Sequence, residues 1–218
     1  MALSASRERR PGAASPGRVV PLLDPGGCGA QYRELAGNLR SLDEPPGSVV
    51  VTGAGGGVGC SSVCLGLGGA LASMGLRVAV VDCNFGRPRL HKMLGEPNFM
   101  GLTTALEMEG EPESCGYEPT PGLLVMPTGP IPEDPARSLE SGGLTGLVGG
   151  LREGRDVVLL DAPPSREVRE SPALSGGFDG VLLVVHAYRT ARSAAREAAD
   201  GLVDAGASLL GVVLNGRP

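Results

Sequence analysis

Residues 53–62 read Gly-Ala-Gly-Gly-Gly-Val-Gly-Cys-Ser-Ser, framed by a β-branched run, Val49-Val50-Val51-Thr52, and by an apolar stretch, Val63 to Met74. Strand, glycine loop and helix in that order form the setting in which such a loop binds phosphate. The pattern asks for Gly or Ala, four residues, then Gly-Lys-Ser/Thr. Ala54, Gly59 and Ser61 satisfy it, whereas Cys60 occupies the lysine position. Glycines allow positive φ, so successive N–H groups can turn inward, and a helix starting near Cys60 aims its positive end at the same point. The loop therefore predicts an anion site at Gly55, Gly56, Gly57, Val58, Gly59, Cys60, Ser61 and Ser62. Cysteine is too short to reach a terminal phosphate and carries no positive charge. A hydrogen bond to a charged group is worth roughly 1.5–3 kcal/mol, so its loss weakens binding on the order of tenfold or more.

Around the loop, apolar runs recur. Strands are expected at Arg77–Val81, Leu123–Met126, Val157–Leu160, Val181–Val185 and Leu209–Leu214, with helices at Gln31–Leu42, Pro135–Arg152 and Ala191–Ala205. Alternation of this kind implies a single α/β domain whose mostly parallel sheet carries helices on both faces. The domain is expected over residues 31–218. Residues 1–30, rich in Pro, Gly, Ser and Arg and without periodicity, read as a disordered tail. A helix with Gly66, Gly68 and Gly69 is locally weak, because each glycine costs up to about 1 kcal/mol against alanine, so it must rely on tertiary packing.

Charge and composition narrow the class. A net charge of −5 argues against broad nucleic-acid binding. No apolar run of 18 residues is present and the first residues lack a signal-peptide core, so any membrane association is expected through a partner. Five cysteines without metal-ligand spacing favour a reducing, cytoplasmic setting. Of 19 basic residues only Lys92 is lysine. A bias toward arginine does not account for cysteine at position 60, and Lys92 itself reads as a solvated side chain.

Two buried-looking strands end in aspartate, Val-Ala-Val-Val-Asp82 and Val-Val-Leu-Leu-Asp161. The C-terminal edge of an open α/β sheet is where ligands bind. With Ser61 as a third oxygen, Asp82 and Asp161 make a candidate Mg2+ site beside the loop, magnesium taking one or two carboxylates together with phosphate oxygens. The alternative for each aspartate alone is a turn or helix cap. Cys60 at a helix N-terminus, with Cys64 one turn on and Cys83 nearby, also fits a reactive thiol of lowered pKa, against the plainer reading of small apolar replacements. His91 and His186 read as structural.

From about Tyr32 to Asn215 the sequence resembles the bacterial tyrosine kinases of capsule and exopolysaccharide synthesis, a branch of the deviant P-loop ATPases. The likeness is carried by the loop, by Asp82-Cys-Asn-Phe-Gly-Arg-Pro-Arg-Leu-His91-Lys92, by Gly101-Leu-Thr103, Pro127-Thr-Gly-Pro-Ile-Pro132, Asp161-Ala-Pro-Pro164 and Gly211-Val-Val-Leu-Asn215. The resemblance implies a P-loop fold and ATP with Mg2+ as cofactors. It places Ser61 on magnesium, Asp82 on magnesium or as a base, Asp161 completing the metal site and Asn215 near adenine. It also implies a membrane polysaccharide co-polymerase, the chain-length regulator, as partner, or an active kinase paralogue. Several departures fall on the kinase cycle: Cys60 for lysine, Asn84 and Gly86 for the Asp and Arg of an Asp-x-Asp-x-Arg pattern, and Ala30 and Ala36 flanking Arg33 where the family has an oligomerising Glu-x-x-Arg-x-x-Arg motif. The tyrosines are Tyr32, Tyr117 and Tyr188, so the family's C-terminal tyrosine cluster is expected to be missing. The expectation is a regulatory or scaffolding protein with weak or lost ATP turnover. The alternatives are an active tyrosine kinase or ATPase of the same pathway, and a partition-type positioning ATPase, disfavoured by the Arg87 to His91 string.

Overall fold

The computed structural model describes residues 29–108, 112–140 and 143–216. The chain runs α1 (Gly29–Arg40), β1 (Ser48–Gly53), α2 (Cys60–Ser73), β2 (Val78–Asp82), α3 (Leu90–Leu94) and α4 (Leu102–Glu107), then β3 (Tyr117–Thr120) and β4 (Leu123–Met126). It continues through α5 (Pro135–Glu140), α6 (Gly143–Gly154), β5 (Val157–Asp161), α7 (Ser165–Glu170), α8 (Pro172–Ser175), β6 (Gly180–His186), α9 (Arg192–Asp204) and β7 (Leu209–Asn215). Most of the expected tail, with Cys28, lies outside the described residues; Gly29 and Ala30 already belong to α1.

The seven strands form one sheet in the order β3-β4-β2-β5-β1-β6-β7. All pairs are parallel except β3–β4. The central strands are fully buried along their length, which is why they read as unbroken Val/Leu runs rather than alternations. Side chains still part by period two. Val50, Ala79, Val81, Val158, Leu160 and Leu183 share one core with Leu144 and Leu151 of α6 and Leu202 of α9. Val49, Val51, Val80, Leu159 and Val184 share the other with Leu65 and Leu71 of α2 and Leu39 of α1. The sheet is therefore covered on both faces, as expected.

Helix α2 survives its glycines because they permit close approach. A Cβ on Gly68 would stand 2.7 Å from Val80 Cγ2 and 3.1 Å from Leu123 Cδ1, so glycine here lets the helix lie flat on the sheet. The helical stretch expected around residues 135–152 is α5 followed by α6, with residues 141–142 outside the described residues. The edge strand β3 carries no strand signal in the sequence. Its Tyr-Glu-Pro-Thr has no apolar run, and Pro119 suits only an edge. Among the described residues no helix is long and apolar enough to cross a membrane.

Candidate functional site

Strand β1 lies between β5 and β6, and its C-terminal end opens into residues 54–59 before α2 begins. Gly57 and Gly59 adopt φ of 74° and 96°, the left-handed region that glycine occupies without strain. Gly59 is needed twice over, because a Cβ there would also collide with the side-chain nitrogen of Asn215. That Asn215 Nδ2 donates to the Val58 carbonyl at 2.8 Å, fastening the loop to the end of β7. Among the described residues, the N–H groups of Gly55, Gly56, Gly57 and Gly59 donate to no backbone carbonyl. Unpaired backbone donors gathered at a loop and a helix start make an anion-binding concavity. Gly56 and Gly57 are exposed, so the concavity faces solvent, while Ser61 is buried at its floor.

The two aspartates sit side by side. Asp82 and Asp161 are register partners in the parallel β2–β5 pair, and Asp161 is also opposite Val51 of β1, so Asp161 lies next to the strand that enters the loop and Asp82 one strand further out. Both residues are fully buried. Their environments differ sharply. Asp82 Oδ1 accepts the Asn84 N–H at 3.1 Å, and Oδ2 accepts the N–H groups of Arg89 at 3.0 Å and Leu90 at 3.1 Å. Asp161 accepts no hydrogen bond at either oxygen from the described residues. The Ser61 hydroxyl lies close enough to favour the charged form, without reaching hydrogen-bond geometry.

Burial raises the Asp82 pKa to about 6 against the pull of its three backbone donors. Burial, and then the neighbouring Asp82 charge, push Asp161 well above the usual carboxylate range, with Arg89 a weaker opposing influence. Since Asp82 has donors and Asp161 has none, a proton retained by the pair near neutrality belongs on Asp161. A fully buried carboxylate without partners, beside a hydroxyl and at a phosphate loop, is the donor set a hard divalent cation takes. Ser61 and Asp161 therefore fit Mg2+. Asp82 fits less well than the sequence suggested: three N–H donors occupy most of its lone pairs, and the capping alternative describes it better.

Cys60 holds the lysine position with a half-buried side chain. Burial first, and then Asp161, push its thiol up to about 12. The expectation of a lowered pKa at a helix N-terminus is thus corrected: desolvation and a nearby carboxyl outweigh the helix end. Cys64 and Cys83 are fully buried and shifted upward for the same reasons. Among the described residues no cluster of His, Cys, Asp and Glu is arranged to hold a metal. His91 lies between solvent and core, with Nδ1 buried and unpartnered. His186, at the end of β6, faces Asn215 across the register. Lys92 is exposed, as expected.

One residue gained importance only from the structure. Arg87, in the turn after β2, extends over the loop: a Cβ built on Gly56 would be 3.8 Å from its Nη1. In the sequence Arg87 stands out only within the Arg87 to His91 string, which carries no local sign that its charge reaches the loop.

Residues 49–215 match the CobQ/CobB/MinD/ParA nucleotide-binding domain. The chain is 29% identical over 203 residues to the tyrosine-protein kinase YwqD of Bacillus subtilis (strain 168), covering 91% of this chain and 86% of that protein. It is 32% identical over 168 residues to the putative tyrosine-protein kinase EpsB of Ralstonia nicotianae, covering 77% of this chain but only 22% of that much longer protein. Among solved structures, the VpsO kinase domain superposes with a TM-score of 0.78 at 25% identity, covering 87% of this chain and 96% of that one. The septum site-determining protein MinD of Pyrococcus horikoshii shares the fold, with a TM-score of 0.62 at 23% identity.

Proposed function

This chain belongs to the CobQ/CobB/MinD/ParA nucleotide-binding domain family, and on that premise we propose a tyrosine-kinase-like nucleotide-binding protein of capsule or exopolysaccharide synthesis whose ATP turnover is weak or lost. Its role is regulatory or scaffolding, in the cytoplasm, against a membrane polysaccharide co-polymerase or an active kinase paralogue that would bring it to the inner membrane. Similarity to YwqD and EpsB, both named as tyrosine-protein kinases, supports the class.

The observation that carries the reduced turnover is position 60. A thiol whose pKa is pushed to about 12 stands where the loop pattern has lysine, so the helix start offers backbone dipoles and no side-chain cation. Ground-state binding can persist on N–H groups alone. Transfer needs additional positive charge fixed where negative charge develops in the transition state. ATP would lie with its phosphates on Gly55–Ser62, with Ser61 and Asp161 on Mg2+ and Asn215 toward the base. Magnesium, when bound, neutralises phosphate charge; Asp82 holds the adjoining turn in place.

The second reading is an active kinase or ATPase of the same pathway, favoured by the retained Ser61, Asp82 and Asp161. Titration with Mg-ATP, followed by phosphate release and tyrosine phosphorylation, separates the two when run on the native chain and on Cys60→Lys. Native binding a few-fold weaker than that of Cys60→Lys, with negligible turnover, is expected. Native turnover equal to that of an intact relative would overturn the proposal.

A further inference from the structure

The loop lacks a side-chain cation on its own helix, and the fold brings one to it from a neighbouring turn. Arg87 is exposed and precedes Pro88, which restricts its backbone conformation. Its N–H donates to the Asn84 side chain, Oδ1, and to the Asn84 carbonyl, both at 3.1 Å. Asn84 N–H donates in turn to Asp82 Oδ1, and Asp82 Oδ2 receives the N–H groups of Arg89 and Leu90 on the far side of the turn. One buried carboxylate thus fixes both flanks of the segment that carries Arg87. The guanidinium stands over Gly56, within 3.8 Å of where a Cβ would be. No ion pair among the described residues engages it. The loop below is open, since a Cβ on Gly55 or Gly57 would touch nothing.

We propose that Arg87 supplies the positive charge missing at position 60, binding the terminal phosphates of a nucleotide seated on Gly55–Ser61 and so selecting di- and triphosphates over monophosphates. The inference rests on the nucleotide-binding reading above. A guanidinium presents paired N–H donors that match two phosphate oxygens, whereas an ammonium acts as a point charge. Asn84 then has a use of its own: its amide oxygen accepts the Arg87 N–H without adding a third carboxylate beside the phosphates.

The test is calorimetric titration with ATP, ADP and AMP, each with Mg2+, on the native chain, Arg87→Ala, Arg87→Lys, Cys60→Lys and the double variant Cys60→Lys/Arg87→Ala. Thermal melts check that each variant is folded. Arg87→Ala is expected to weaken ATP and ADP binding about tenfold or more and AMP binding far less, with Arg87→Lys intermediate. In the double variant, lysine at position 60 is expected to restore ATP binding to within a few-fold of Cys60→Lys. If the native chain binds ATP and Arg87→Ala binds it equally, Arg87 has no such role and the nucleotide reading stands. A double variant that stays weak while Cys60→Lys binds also overturns the proposal, because the two cations are then not interchangeable. If neither the native chain nor Cys60→Lys binds any nucleotide, the nucleotide reading falls and this inference falls with it.

Discussion

Asp161→Asn tests the electrostatics of the site most directly. Asp161 is fully buried, accepts no hydrogen bond at either oxygen from the described residues, and faces Asp82 across the β2–β5 register. Burial, with Asp82 adding to it, holds its pKa well above the ordinary value. In metal-free protein the folded state therefore keeps a proton that the unfolded chain, with an aspartate pKa of about 3.9, gives up. The sign follows from linkage: a carboxyl whose folded pKa is raised costs nothing below its unfolded pKa and destabilises progressively as pH rises above it. The slope is about −1.4 kcal/mol per pH unit for one proton, continuing until the folded group itself ionises. Asp82, raised from 3.8 to about 6, adds its own loss over that interval, about 3 kcal/mol at most. The Asp161→Asn amide does not titrate, and its missing hydrogen bonds cost about 1–3 kcal/mol at every pH. The native protein should thus lose ground to the variant as pH rises from 5 to 8. For a domain of this size the gap in Tm should move by about 3–6 °C per pH unit while Asp161 retains its proton. Melts followed by circular dichroism in EDTA at pH 5, 6, 7 and 8 measure it. Parallel curves for the two proteins, or a native protein that gains on the variant with pH, would refute the uncompensated buried carboxyl.

Two further outcomes test the loop and its helix. Gly68→Ala should destabilise the protein by about 1–3 kcal/mol in urea unfolding despite alanine's better helix propensity, because the new methyl meets Val80 and Leu123 in a closed core; an unchanged midpoint would show that α2 can lift off the sheet freely. Cys60 should resist iodoacetamide at pH 8, since a pKa near 12 leaves on the order of a thousandfold less thiolate than an ordinary cysteine. Peptide mapping showing Cys60 labelled as fast as glutathione would contradict the burial argument.

Most strands legible in the sequence are those whose burial is complete, although β7 was legible too and is at best half-buried. β1, β2, β5 and β6 are apolar on both faces, so their runs stand out without any knowledge of what covers them. β3 is an edge strand of Tyr-Glu-Pro-Thr, specified by its antiparallel partner β4 rather than by its own residues. At the site, the loop and both aspartates were legible because strand ends and glycine spacing are local signals. Their division of labour was not. Whether Asp82 or Asp161 keeps free lone pairs depends on how the next eight residues fold back, and only the closed turn shows the N–H groups of Asn84, Arg89 and Leu90 converging on Asp82. Cys60 shows the same limit in reverse: the helix-end rule is local and favours thiolate, whereas burial by the folded chain, and after it the charge of Asp161 about a hundred residues away in sequence, push the thiol the other way.

Moving a phosphate-binding cation from the helix start to a turn changes what the site can do. A lysine on the first turn of α2 moves with the loop that holds the phosphates. Arg87 is an exposed side chain that must be ordered at each binding event, at up to about 2 kcal/mol of rotamer entropy. Its turn is fixed by Asp82, the same carboxylate that a metal-based mechanism would recruit, so strengthening one use of Asp82 weakens the other. Ground-state phosphate tolerates such an arrangement, because a guanidinium can find two oxygens from a range of approaches. A transferring phosphoryl group needs its donors already in place. Under the proposed reading, a neutral Cys60, an Asp82 committed to backbone donors and a cation carried on an exposed side chain would favour holding a nucleotide over splitting it.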